Sequence, residues 1–162
     1  MTRQSLEPSR RVQDYGFVHR VRTRFAETDA MGIIHHAAYL PYLEEARVAY
    51  LRHLGHPYEE VRRQGYNFAV LEVGVQYRRP LVFDELVDVH LQAGAVSRAT
   101  FQLAYLLTVD GEVRATAVSV HGSVDPAGKA TRLPDWVGAV FSGDQAAQAP
   151  QDPQSAPSKG AL

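Results

Sequence analysis

The 162-residue sequence contains no cysteine. That absence excludes disulfides, thiolate metal sites and a cysteine nucleophile, and it leaves the redox compartment open. Long apolar runs are missing as well. None approaches the roughly 18 residues of a membrane span, so no membrane insertion is expected. Surplus charge of either sign is lacking, with a formal net charge of -1. No overall basic field points to nucleic acid, and the chain is not acidic enough to read as a solvated, unfolded segment. Residues 1–13 are polar and hold no apolar stretch of the kind that forms a secretory signal. A cytoplasmic location is therefore the default expectation.

What is present is ordinary globular composition, 45% hydrophobic and 22% charged, in a length that suits one domain with a real core. Both ends are expected to be unstructured. Residues 1–14 lack periodicity, and residues 142–162 are rich in Ala, Gln, Ser, Gly and Pro with little to bury. The folded domain is then residues 15–141.

Within it, residues 17–25 alternate, with Phe17, His19, Val21, Thr23 and Phe25 on one parity, as a strand with one face on a core does. After a loop over residues 26–36, residues 37–54 read as a helix that Gly55 stops, with Pro41 in the tolerant first turn. A short helical piece is expected over residues 57–64. Four strands follow, over residues 67–79, 85–96, 100–109 and 112–124, the last two joined by the hairpin turn Asp110-Gly111. In the first of these Ala69, Leu71, Val73, Val75 and Tyr77 share a parity. A single long helix, apolar around much of its surface, needs a sheet curled about it. The fold class is α+β, a five-stranded antiparallel sheet wrapped on one central helix.

The chemistry concentrates between Phe25 and Arg47. Glu27 and Asp29 precede a turn at Gly32, and His35 and His36 stand directly before the long helix. A helix start offers unpaired N–H groups and the positive end of the helix dipole, which suit a thioester carbonyl oxygen as it gains negative charge. A nearby carboxylate can attack the carbon or activate a water. On residue types alone, Asp and Thr before a helix are also common turn and capping residues, and a His pair reads first as polar residues at a helix entry. Adjacent histidines cannot easily direct both rings at one ion, so no metal site is expected.

The pattern Thr28-Asp29, Gly32-Ile33-Ile34, His36 and Tyr39, continuing to Glu44 and Arg47, resembles the 4-hydroxybenzoyl-CoA thioesterase-like hotdog family. It is most similar to the branch associated with the bacterial Tol-Pal system. The resemblance continues through Val75-Gln76-Tyr77-Arg78-Arg79-Pro80 to Asp84-Glu85, and in Val124-Asp125-Pro126. It implies an acyl-CoA thioesterase that uses no metal or prosthetic group. Asp29 would be the catalytic carboxylate, as nucleophile or general base, and His36 would lie beside the thioester. The substrate would meet Gly32, Ile33, His35, Ala37 and Tyr39, with helix-start amides polarising its carbonyl. Family members pair two subunits into one sheet with sites at the interface, so a homodimer is implied, extending to a dimer of dimers. Phe25 and Ala38 depart from the branch, which usually has Tyr and often has Asn at those places.

CoA carries several phosphates. Fifteen of the seventeen basic residues are Arg, which suits planar phosphate contacts, and Arg78, Arg79 and Arg98 lie near strand ends. Two other readings stay open. A hotdog hydratase or dehydratase would want a His and a carboxylate reaching one substrate carbon from the long helix. A second hotdog subfamily also places its catalytic carboxylate on that helix, where Glu44 and Glu45 stand, although Glu44 with Arg47 reads more simply as an ion pair. A non-catalytic acyl-CoA binding module would use the same pocket without turnover.

Overall fold

The computed structural model describes residues 3–148. Five strands, β1 (Phe17–Arg22), β2 (Asn67–Tyr77), β3 (Leu86–Val96), β4 (Thr100–Val109) and β5 (Glu112–Val124), form one antiparallel sheet in the order β1-β3-β4-β5-β2. Helix α1 (Tyr39–His53) lies against its concave face, preceded by one 3-10 turn at His36–Ala38. Helix α2 (Tyr58–Arg63) follows it, and helix α3 (Asp135–Gln148) closes the described chain.

Alternation explains the core. Leu103, Tyr105 and Leu107 of β4 turn inward beside Ala115 and Ala117 of β5, and Val87, Val89 and Leu91 of β3 join them. These residues meet Tyr42, Leu43, Ala46, Tyr50 and Leu51 of α1 in one buried cluster. The small alanines of β5 leave room for the helix's large rings. This is the expected hotdog arrangement, a sheet curled about a central helix.

The sheet differs from the sequence reading at β2. Its pairing with β5 slips between Val70 and Glu72, so Leu71 is an extra residue and the parity of Ala69 and Leu71 does not run on to Val73. A bulge is tolerated because this edge strand has only one neighbour to keep in register. At the other edge β1 ends at Arg22, and Phe25 begins a short 3-10 turn instead of continuing the strand.

Both expected unstructured ends also differ. Residues 3–14 cross the outer face of the sheet. The Ser5 N–H donates to the Gln102 side chain at 3.1 Å, Gln102 donates back to the Arg3 carbonyl at 3.1 Å, and Leu6 packs with Tyr15, Ala104 and Leu106. The segment has no periodicity because it is held by isolated anchors, not by a repeating face. At the other end, the boundary placed at residue 141 falls inside α3. Val137 and Phe141, four apart and fully buried, seat α3 on the core, and the Tyr50 hydroxyl donates to Asp144 at 2.5 Å. The surrounding small residues hid that pair in the sequence. Residues 149–162 of the expected tail lie outside the described residues. No helix of the described chain is long and apolar enough to cross a membrane.

The N-terminal segment fits because Gly94 has no side chain, since a Cβ there would stand 2.3 Å from Leu6 Cδ2. Gly94→Ala is expected to push the end of Leu6 aside and to destabilise the protein by at most about 1 kcal/mol, the low end of an overpacking cost. Adding Leu6→Ala removes the clash, so the double variant should lose less than the sum of the single losses. Thermal melts of the three variants measure this directly.

Candidate active site

Residues 24–36 make a loop pinned at both ends. Thr28 and Ile34 form an isolated antiparallel bridge, the His35 N–H donates to the Glu27 carbonyl at 2.7 Å, and the Ile34 N–H donates to the Leu81 carbonyl at 2.8 Å. Glu27 is the loop's anchor to α1. Its carboxylate accepts from the Tyr42 hydroxyl and from Arg24. Burial pushes its pKa up, but those hydrogen bonds outweigh burial and leave it below the ordinary carboxylate value. Glu27 is thus structural, and Asp29 is the loop's other carboxylate.

Asp29 sits at the loop's tip. Its N–H donates to the Ile33 carbonyl, its carbonyl accepts from Gly32, and its Oδ1 accepts from the Met31 N–H at 2.8 Å. Gly32 supplies the turn with φ +77°, a conformation that glycine adopts without penalty. This tight turn holds the half-buried carboxylate at a cleft of about 320 Å3 lined by Asp29, Met31, Ile33, Ile34, His36, Tyr39 and the 77–80 segment.

His36 opens the 3-10 turn that leads into α1, so its N–H has no partner within that turn. Its carbonyl accepts from the Tyr77 hydroxyl at 2.9 Å, and Tyr77 meets Tyr39 edge-on at 4.9 Å between ring centroids. The sequence reading did not single out Tyr77 as a site residue. Its one signal was its place beside Arg78 and Arg79 in the quoted motif. Arg114 was missed for want of any signal: it donates to the Pro80 carbonyl and pairs with Glu85, bracing the wall of the cleft from behind.

The expected substrate-facing residues divide. Asp29, Ile33, His36, Tyr39, Arg78 and Arg79 line the cleft, whereas Gly32 shapes the loop. His35 instead caps the turn: its Nδ1 accepts from the Ala37 N–H at 3.1 Å, which occupies that amide, and its ring lies 4.1 Å from that of His36. Arg79 pairs with Glu112 at 2.8 Å, while Arg78 bonds Gln76 and Thr116 and keeps a buried Nε with no partner among the described residues. Arg98 is not brought to the cleft within this chain. It lies in the turn between β3 and β4, the full length of β3 away from Glu85 and Arg114. The helix carboxylates are both engaged, Glu44 with Arg47 at 2.5 Å and Glu45 with His19 at 2.7 Å. Phe25 is 73% exposed and packs edge-on against Phe83, so it takes no place in the cleft wall. Among the described residues, no three His, Cys, Asp or Glu side chains come together as metal ligands.

A family model described as the thioesterase-like superfamily matches residues 23–141, from the end of β1 to Phe141 in α3. The chain belongs to the thioesterase-like superfamily. A hypothetical protein of Aquifex aeolicus, solved as a crystal structure, aligns to this thioesterase-like chain with TM-score 0.73 and 38% identity, covering 77% of this chain and 98% of that one. The DHNA-CoA thioesterase of Staphylococcus aureus aligns with TM-score 0.74 and 29% identity, covering 80% and 90%. The acyl-CoA thioesterase YbgC of Haemophilus influenzae is 34% identical over 88 residues, 54% of this chain and 65% of that protein.

A second, separate cavity of about 170 Å3 lies between α1 and β2 in this superfamily member. Its floor is polar. The Tyr105 hydroxyl, the Ser119 hydroxyl and His121 Nε2 form a buried chain with spacings of 2.9 and 2.6 Å. Burial, with a smaller contribution from the Arg47 charge, holds His121 near a pKa of about 3, and burial also lowers that of His90. Both histidines therefore fold neutral and protonate on unfolding as pH falls below the ordinary value of 6.5. Between about pH 3 and 6.5 the unfolded chain binds the more protons, so stability rises with pH there and is complete above that window. Denaturant unfolding is expected to show stability falling from pH 7 to pH 5, with a shallower fall in His121→Gln.

Proposed function

We propose that this protein is an acyl-CoA thioesterase that hydrolyses its substrate to free acid and CoA, with Asp29 as the driving carboxylate. The carrying observation is the cleft itself, where Asp29, His36 and the helix start face one space beside two arginines. The names borne by the Staphylococcus and Haemophilus relatives support the substrate class. The motif spacing supports the 4-hydroxybenzoyl-CoA thioesterase-like assignment and its Tol-Pal-associated branch.

In this reading the thioester carbonyl oxygen takes the His36 N–H, the first unpaired amide of the helix entry. Ala37 cannot share that task while its N–H is held by His35. Met31 fixes one oxygen of Asp29, and the other reacts. As general base it takes a proton from water as the water oxygen bonds to the acyl carbon. As nucleophile it bonds to that carbon itself, and water then cleaves the mixed anhydride. Either route breaks the carbon–sulfur bond and releases the CoA thiolate, which a proton from the site or solvent neutralises. The His36 side chain orients substrate or water, and Arg78 and Arg79 face the CoA phosphates.

Assembly follows from the two sheet edges. The β1 edge is charged, with Arg20 paired to Asp88 and Arg22 to Asp84, as protected edges are. The β2 edge is apolar, leaving Val70 50%, Leu71 40% and Tyr77 49% exposed. A second copy pairing there by two-fold symmetry covers these residues and closes a cleft that Tyr77 lines. A homodimer, and dimers of it, fit this edge.

Release of CoA thiol from a panel of thioesters tests the activity. Asp29→Asn is expected to lower kcat by roughly a hundredfold or more with the fold intact by circular dichroism. His36→Ala should lower it less. Near-normal turnover by Asp29→Asn would overturn the assignment. Light scattering at assay concentration should give at least a dimer, and a fully active monomer would refute the shared site.

A further inference from the structure

The amides of residues 35–38 lead into α1, and the fold treats them unequally. The His35 N–H donates to the Glu27 carbonyl at 2.7 Å, the Ala37 N–H to His35 Nδ1 at 3.1 Å and the Ala38 N–H to the His35 carbonyl at 2.9 Å. The His36 N–H has no partner among the described residues. An amide only donates, so the His35 ring is neutral and carries its proton on Nε2. It acts as an N-cap, filling with its own acceptor the N–H two residues on.

The peptide that follows His36 is consequently held from both sides. Its N–H, that of Ala37, is taken by the His35 ring, and its carbonyl, that of His36, accepts from the Tyr77 hydroxyl of β2 at 2.9 Å. The Tyr77 ring is itself set edge-on against Tyr39 in the first turn of α1. The Ala38 N–H on the His35 carbonyl closes the 3-10 turn, and it orients the peptide plane that also carries the His36 N–H. The 36–37 plane lies inside that turn, so a swing of this plane opens the turn and costs the His36 N–H its direction. His35, His36, Ala37 and Tyr77 are all exposed, and water could satisfy each of these polar groups. What the two side chains add over water is a fixed direction.

We infer that His35 and Tyr77 are positioning residues that clamp the 36–37 peptide from its two ends and so hold the His36 N–H on the thioester carbonyl oxygen. The inference rests on the thioesterase reading and adds to its site two residues that act through His36. His35 also withholds the Ala37 amide, so the carbonyl oxygen meets one aligned donor as it gains charge.

Tyr77→Phe removes the hydroxyl and keeps the ring on Tyr39, His35→Ala removes the cap, and His35→Asn supplies a new acceptor for the amide two residues on. On the thioester that the wild-type protein cleaves fastest, Tyr77→Phe and His35→Ala are each expected to lower kcat about tenfold with KM within about twofold, less than the cost of losing an oxyanion donor outright. His35→Asn should restore kcat to within about twofold of wild type. The double variant Tyr77→Phe/His35→Ala should lose far less than the product of the single losses, because both bonds hold one peptide. Infrared difference spectra of benzoyl-CoA, isotopically labelled at its carbonyl carbon and bound to Asp29→Asn, read the donor without turnover. Binding should move the carbonyl stretch to lower frequency. Adding Tyr77→Phe or His35→Ala should return most of that shift, and adding His35→Asn should keep it. Unchanged kcat in Tyr77→Phe or His35→Ala overturns the clamp, as does a loss confined to KM. Losses that multiply in the double variant overturn it too, since each side chain would then meet the substrate independently. If His35→Asn is as poor as His35→Ala the clamp also fails, because packing on the His36 ring, 4.1 Å away, is then what His35 supplies. Absence of CoA release from every thioester overturns the thioesterase reading instead. The infrared spectra still decide the clamp, which falls if the carbonyl frequency is unmoved by binding or by the added substitutions.

Discussion

Ala46 and Tyr50 are wholly buried because the sheet bends around α1, and that seat organises the rest of the molecule. The helix lies closest to β1 and β3, and on the inner face of β5 Ala115, Ala117 and Ser119 leave room for its large rings. At the entry to the helix Tyr77 of β2 meets the His36 carbonyl, and the 24–36 loop arrives by way of Glu27 and Tyr42. The reactive loop is thus positioned by the core, while its own bridge and turn set the place of Asp29 within it. A change that moved α1 along its axis would move the cleft with it.

The same seat accounts for the division of labour among similar groups. Glu27, Asp29, Glu44 and Glu45 are four carboxylates within nineteen residues of sequence, and three of them are bound to Tyr42, Arg47 or His19. Among the described residues Asp29 is the one of the four held by a backbone amide and no side chain, and it lines the cleft. Of the two adjacent histidines, one caps the turn and the other borders the cleft, because successive residues at a helix entry point in different directions. Chemistry available to any of these groups is thereby confined to few of them.

The remaining faces show how a small sheet manages its surfaces. Ion pairs blunt the β1 edge, and the N-terminal segment covers the outer face with Leu6 and Tyr15. Among the described residues, the β2 edge keeps exposed apolar side chains beside the candidate site, where the β1 edge carries ion pairs. A bulge at Leu71 sits at that edge and turns Leu71 over Gly122, where a Cβ would stand 2.9 Å from Leu71 Cδ1.

Local pattern by itself determined the strands, α1, the hairpin at Asp110-Gly111 and the loop bearing Asp29 and His36, because alternation, helix entry signals and turn residues act between near neighbours. The superfamily was legible for the same reason, since its motif is a set of short spacings. Only the tertiary structure decided what depends on distant partners. The N-terminal segment has no periodicity and is ordered by Gln102, almost a hundred residues away. Helix α3 is anchored by Val137 and Phe141 among small residues and meets Tyr50 across the core. Arg98 and Arg79 look alike as strand-end arginines, yet the run of β3 sends them to opposite ends of the sheet. Ser119 and His121 were two inward positions of a strand until Tyr105, fourteen residues from Ser119, joined them into a buried polar floor. A sequence states which groups a chain owns, but hydrogen bonds and packing between its distant parts decide which of them face a common space.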